Sequence, residues 1–207
     1  MKKGVLTIIQ TLKFHNNHDF ITLFESRLSE YTGAPYVVLT DSCSNAIFLS
    51  LKYLNSPTVL SIPIHTYISI PQAINNAGYK YTGNTEEWVG SYNLKGTHIW
   101  DSAVGFHRDM YKKGLWMCLS FHQKKAIPIG KGGAILLDNK EDYDILKRMS
   151  WDGRDASIPV KDDLGIINGY HMNMTPEKAA KGVLLLNNYN EEFKQGSWKD
   201  YPIWSNE

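Results

Sequence analysis

The 207-residue chain is 43 % hydrophobic and 21 % charged, the balance of a soluble globular protein long enough for one sizeable core. A net charge of +1 at pH 7 argues against a nucleic-acid surface or an acidic partner, and no apolar run approaches the roughly 20 residues of a membrane helix. Cys43 and Cys118 lie in apolar surroundings and read as small core residues of a reducing compartment rather than a disulfide. The start, Met1 to Gln10, holds an apolar run too brief for a signal peptide, so the expected location is the cytoplasm.

In chain order, Phe20, Leu23, Phe24, Leu28 and Tyr31 recur at helical spacing, and Gly33 follows as a stop. Tyr36 to Leu39 is a short apolar strand, after which Asp41-Ser42-Cys43-Ser44-Asn45 opens a helix carrying Ala46, Ile47, Leu49, Leu51 and Leu54. Val59 to Ile62 reads as the next strand and Tyr67 to Asn76 as a helix ending before Gly78. A weaker strand lies near Tyr79 to Thr82, and Glu86 to Gly96 is polar and reads as loop. Thr97 to Trp100 is a strand ending at Asp101; Leu115 to Leu119 and Ala134 to Leu137 are two more. Lys140 to Met149 is a charged amphipathic helix and Trp151 to Ile167 is irregular. Thr175 to Tyr189 is a helix with Thr175 as cap, Pro176 at its first position and Glu177 in its first turn. The polar stretch from Asn190 to Glu207, with scattered aromatics, reads as a loosely ordered tail.

Alternating strand and helix from Tyr36 onward predict an α/β layered fold with a mostly parallel sheet, whose ligands bind at the carboxyl ends of strands. Four such ends carry polar residues: Asp41 to Asn45, Pro63 to Tyr67, Asp101-Ser102 and Ser120 to Lys125. A lysine at 124 or 125 is either a solvated loop charge or an amine that condenses with an aldehyde cofactor such as pyridoxal phosphate. Local spacing does not choose between them. The other three ends meet what that cofactor needs. Ser42-Cys43-Ser44 opens a helix and offers N–H groups and hydroxyls to a phosphate, whether or not a serine also caps the helix. Asp101 is a turn residue or a carboxylate for the pyridine nitrogen, and Tyr67 is core packing or a neighbour for the ring face. The seven histidines show no His-Glu-x-x-His or Cys-x-x-Cys spacing, so no metal site is expected.

Taken together these stretches resemble the DegT/DnrJ/StrS family of pyridoxal-phosphate-dependent sugar aminotransferases. Ser120-Phe121-His122-Gln123-Lys124-Lys125, then Gly130-Lys131-Gly132-Gly133-Ala134-Ile135, is similar to the family's Ser-Phe-His-x-x-Lys and Gly-Glu-Gly-Gly-x-Ile stretches. That register makes Lys125 the Schiff-base lysine and puts Ser120 at the phosphate. Tyr31-Thr32-Gly33 with Asp41 to Ala46 resembles Thr-Gly and Ser-Ser-Gly-Thr-x-Ala, which adds Ser42, Cys43 and Ser44 to the phosphate site. Pro63-Ile64-His65-Thr66-Tyr67 implies Tyr67 as the stacking aromatic, and Asp101-Ser102-Ala103 implies Asp101 as the pyridinium partner. Gly169 to Thr175 with Ala179-Ala180 resembles a stretch in which an Asn reaches the phosphate of the other subunit, a role that falls to Asn173.

The resemblance implies a truncated fold-type-I large domain, a three-layer sandwich over residues 1–189, with the tail 190–207 in place of the small C-terminal domain. It implies an aminotransferase that moves an amino group from an amino acid, glutamate by the family's habit, to a keto-sugar nucleotide, in a homodimer with no nucleic-acid or membrane partner. Short chains of this kind resemble phage-encoded relatives. The chain departs from the pattern at Val104, where the family has Gln or His, at Cys43 for Gly or Ala, at Lys131 for Glu, and in a compressed span from Gly78 to Asp101. Those departures keep open a second reading, a non-catalytic pyridoxal-phosphate-binding or interaction protein on the same fold.

Overall fold

The computed structural model describes residues 18–56, 58–190 and 193–204; the expectation for Met1 to Gln10 lies outside them. Among the described residues the first element is helix α1 (His18–Thr32), and Gly33 ends it with a left-handed φ of 79°. Strand β1 (Tyr36–Thr40) leads into α2 (Cys43–Leu54), then β2 (Leu60–Pro63), α3 (Ser69–Ala77) and β3 (Tyr81–Asn84). Next come β4 (Tyr92–Asn93), β5 (Ile99–Asp101), β6 (Trp116–Ser120) and β7 (Gly133–Leu137). Helices α4 (Lys140–Ser150) and α5 (Pro176–Asn187) complete the regular elements, with short 3-10 turns at Val160–Asp162 and Trp198–Asp200.

The main sheet has the order β1-β7-β6-β5-β4, and β2 and β3 form a separate parallel pair. The sheet is mixed rather than mostly parallel. β7 runs antiparallel to both β1 and β6, β4 runs antiparallel to β5, and only β5 and β6 are parallel within it. The cause is in the connections. Parallel neighbours need a crossover, usually a helix, whereas β6 reaches β7 through a helix-free loop and β4 reaches β5 through a few residues.

Alternate residues of the strands bury opposite faces. Val38, Cys118, Ile135 and Leu137 face α2, α3 and α4, where Ile47, Leu51, Ile74 and Leu146 complete one core. Val37, Leu119, Ala134 and Leu136 face α1 and α5, where Phe24, Leu28, Ala179 and Val183 complete the other. The result is the expected three-layer α/β sandwich. At the β1 margin Lys147 of α4 reaches the buried Glu25 of α1 at 2.6 Å, an ion pair that ties the two outer layers.

The register sets up the site. Thr40, Gly133 and Ser120 lie side by side across β1, β7 and β6, and Asp101 pairs with Cys118 across β5 and β6. Because β7 is antiparallel to both neighbours, β1, β5 and β6 point the same way and their carboxyl ends share one edge. Gly133 is required at this level by close approach. A Cβ there would lie 2.4 Å from the Ser42 carbonyl carbon and 2.5 Å from the Cys43 nitrogen, both backbone atoms at the start of α2. Gly133→Ala should therefore destabilise the fold by about 2–3 kcal/mol, read as a lower urea midpoint at unchanged slope. An unchanged midpoint would mean that α2 can retreat from β7 at no cost.

Candidate active site

At that shared edge the strand ends enclose a cavity of about 520 Å³. Its floor is Asp101, the last residue of β5, only 5 % exposed. Its Oδ1 accepts from the Ala103 N–H at 2.9 Å and lies 3.9 Å from the Cys43 thiol, and its Oδ2 accepts from the Tyr92 hydroxyl at 2.8 Å. Burial pushes the Asp101 carboxyl above the usual carboxylate range; the Ala103 N–H, the Tyr92 hydroxyl, Lys125 and Cys43 oppose the rise. Burial, reinforced by Asp101, pushes the Cys43 thiol well up, so Cys43 is a protonated neighbour and not a nucleophile. Both cysteines are free and buried.

One wall is the start of α2. Ser42 is the N-cap, accepting from the Asn45 N–H at 3.2 Å, and the N–H groups of a helix's first turn have no partners within the helix. Ser44 shares a 2.6 Å hydrogen bond with Ser69, the first residue of α3, so hydroxyls from two helix starts meet at the cavity. Ser120, at the end of β6, also lines it.

The facing wall is the loop between β6 and β7. Phe121, Ile127 and Ile129 sink into the core beneath it, and the N–H groups of Phe121 and Gln123 bond to the carbonyls of Gly132 and Gly130. This anchoring fixes Lys125, half-buried and lining the cavity, while Lys124 is exposed at its mouth. Burial pulls the Lys125 amine below the usual lysine range; Asp101, Cys43 and Asp200 pull the other way. The arrangement can offer an amine that holds its proton less tightly than usual, a buried carboxyl group on the same cavity, and a polar helix start suited to a phosphate.

Of the expected site residues, Ser42, Cys43, Ser44 and Ser120 are brought together with Asp101 and Lys125. Tyr67 also lines the cavity, 60 % exposed at its mouth, with its ring edge-on to Tyr201 at 6.4 Å. Asn173 does not line it. It bridges to Thr40 beside β1, and its Oδ1 is buried with no hydrogen-bond partner. Residues that sequence reasoning passed over also converge here. Tyr92 comes from a stretch read as polar loop. Lys131 pairs at 2.8 Å with Asp41, distant in sequence. Asp200 and Tyr201 come from the tail, which is not loose over 193–204. Trp198 and Trp204 pack on the core, the Trp204 indole donates to the Pro63 carbonyl at 3.1 Å, and the His65 ring bonds the Tyr201 carbonyl at 2.9 Å. Aromatics too widely spaced to form an element still bury enough surface to dock a segment.

The model of the DegT/DnrJ/EryC1/StrS aminotransferase family matches residues 2–82 and 102–197. The chain belongs to that family. Solved structures agree on the fold. A Bacillus cereus protein described as a PLP-dependent aminotransferase superposes with TM-score 0.72 at 18 % identity, over 91 % of this chain and 63 % of its own. The sugar aminotransferase CalS13 of Micromonospora echinospora gives 0.66 at 16 %, over 86 % and 62 %. DesV of S. venezuelae, solved with a ketimine intermediate, gives 0.68 at 14 %, over 91 % and 62 %. This DegT-family chain thus spans less than two thirds of the length of those solved chains. Comparison with curated protein sequences found no match. The shared architecture is the fold-type-I aminotransferase large domain, here with a mixed sheet.

Proposed function

We propose that the chain is a pyridoxal-phosphate-dependent aminotransferase that takes an amino group from an amino acid, glutamate by the family resemblance, and passes it to a keto-sugar nucleotide. The observation that supports this most is the meeting, on one cavity, of the Lys125 amine, the buried Asp101 carboxylate and the serine-rich start of α2. Their chemistry fits the cofactor group by group. Ser42, Ser44, Ser120 and the first N–H groups of α2 would hold the phosphate. Asp101 would hold the proton of the ring nitrogen, and Tyr67 would cover a ring face.

Pyridoxal phosphate, when bound, supplies an aldehyde that condenses with primary amines and a ring that draws electrons from the carbon losing its proton. The protein supplies the rest. Lys125 acts first as the amine that anchors the cofactor, a role eased by its lowered proton affinity. Once released, its Nζ takes a proton from the substrate carbon and returns it elsewhere. Asp101, kept from water, would accept the hydrogen bond of the protonated ring nitrogen. The docked segment 193–204 forms part of the cavity wall, and we assign to it the enclosing role of a small C-terminal domain, with residues up to 189 as the large-domain unit. For Asn173, which lies outside the cavity, we keep the cross-dimer contact that the family resemblance implies. We keep the cytoplasm as the expected location.

The test is an absorbance spectrum of the purified protein with added pyridoxal phosphate. A yellow band that survives desalting, bleaches with glutamate and returns with a keto acceptor is expected. A protein that stays colourless sinks the reading and leaves a fold kept for binding something else.

A further inference from the structure

The family match passes over residues 83–101, yet that stretch reaches the floor of the cavity. From it comes Tyr92, only 2 % exposed, whose hydroxyl lies 2.8 Å from Asp101 Oδ2. Behind Tyr92, the hydroxyl of the buried Thr66 hydrogen-bonds to the same phenol oxygen. A phenol has one proton. An ionised carboxylate can only accept, so Tyr92 donates to Asp101 and Thr66 must donate to Tyr92. The two hydroxyls form a chain with a direction, Thr66 to Tyr92 to Asp101. Were Asp101 protonated on Oδ2, the chain would have to reverse.

We propose that Tyr92, oriented by Thr66, is a positioning residue that holds Asp101 in its charged form at the cavity floor. The inference rests on the cofactor reading above, in which Asp101 partners the ring nitrogen. Every other group around Asp101 leaves this task to Tyr92. The Ala103 N–H and the Cys43 thiol both address Oδ1, and neither contacts Oδ2. Lys125 and Tyr201 face Asp101 from the β6–β7 loop and the tail, and Cys118 from β6, but none of them hydrogen-bonds to it in this structure. A buried carboxylate oxygen stripped of its donor binds a proton more tightly. Burial and Asp101 push the Tyr92 phenol well up, so it remains a donor throughout the working pH range.

The experiment is a carboxyl-carbon NMR titration of Asp101 in the cofactor-free protein, assigned with Asp101→Asn, for wild type, Tyr92→Phe and Thr66→Val. Tyr92→Phe should raise the Asp101 midpoint by about one pH unit, a roughly tenfold gain in proton affinity. Thr66→Val should raise it in the same direction by less. Near-ultraviolet circular dichroism confirms that the variants fold. A purely structural Tyr92 would change thermal stability and leave the midpoint where it is, and that result overturns the proposal. Because the titration uses no cofactor, it stands apart from the absorbance test. A raised midpoint in Tyr92→Phe together with a wild type that never turns yellow supports the Tyr92–Asp101 coupling and sinks the aminotransferase reading instead.

Discussion

Lys125→Ala should abolish the yellow band and lower transamination by at least about 10⁴-fold, the combined loss of an anchoring nucleophile and a general base. Lys124→Ala should leave the band in place and turnover within about threefold. The two lysines are neighbours in sequence and differ in setting. Lys125 is half-buried on a loop whose backbone is pinned by Phe121, Ile127 and Ile129, and its N–H bonds the His122 carbonyl at 2.9 Å. Lys124 is exposed and lies at the rim. A band lost in Lys124→Ala and kept in Lys125→Ala would shift the register by one residue and remove the lowered amine from the chemistry. Spectra of the three proteins side by side settle it.

Asp101→Asn should lower turnover by roughly 10²–10³-fold, the usual cost of one preorganised electrostatic contact, without lowering stability at neutral pH. Burial is the main influence on this carboxyl and raises its proton affinity above the usual range near 3.8. An acid held more tightly protonated in the folded state contributes stability below its unfolded midpoint and loses it as pH rises through the folded one. At neutral pH the ionised Asp101 is therefore a burden on the fold that asparagine removes. The amide can still accept from the Ala103 N–H and can donate to Tyr92, whose hydroxyl then turns to Thr66. Thermal melts from acid to neutral pH should show the variant equal to or above wild type at pH 7, the difference closing as pH falls. A variant clearly less stable at pH 7 would show that Asp101 serves the fold first.

Most of the architecture was legible because each strand and helix announces itself over several residues. The run Trp116 to Ser120 and the run Gly133 to Leu137 are buried on both faces, and such strands read as unbroken apolar stretches. Their mutual direction was legible too, in principle, since no helical pattern separates them; the strand–helix alternation elsewhere masked it. β4 escaped because two residues carry no period, and with it went Tyr92, although Trp88 and Tyr92 are two aromatics inside a mostly polar stretch. The cavity residues at strand ends were found because strand ends are where polar residues interrupt apolar runs. The Lys131–Asp41 and Ser44–Ser69 pairs were not, because nothing local links residues that meet only after the sheet closes.

The place of β7 between β1 and β6 also sets an order of events on the ribosome. β1 is made well before β7, its one partner in the main sheet among the described residues, roughly a hundred residues downstream. At synthesis rates of about 5–20 residues per second, the apolar run Tyr36 to Thr40 waits several seconds with its pairing edge open. During that interval α1 and α2 can form from local contacts, but the layers they cover do not exist. The last sheet strand to emerge is thus the one that closes the sheet, aligns Thr40 with Ser120 and presses Gly133 against α2. Folding of the core and assembly of the cavity are one late, non-local event.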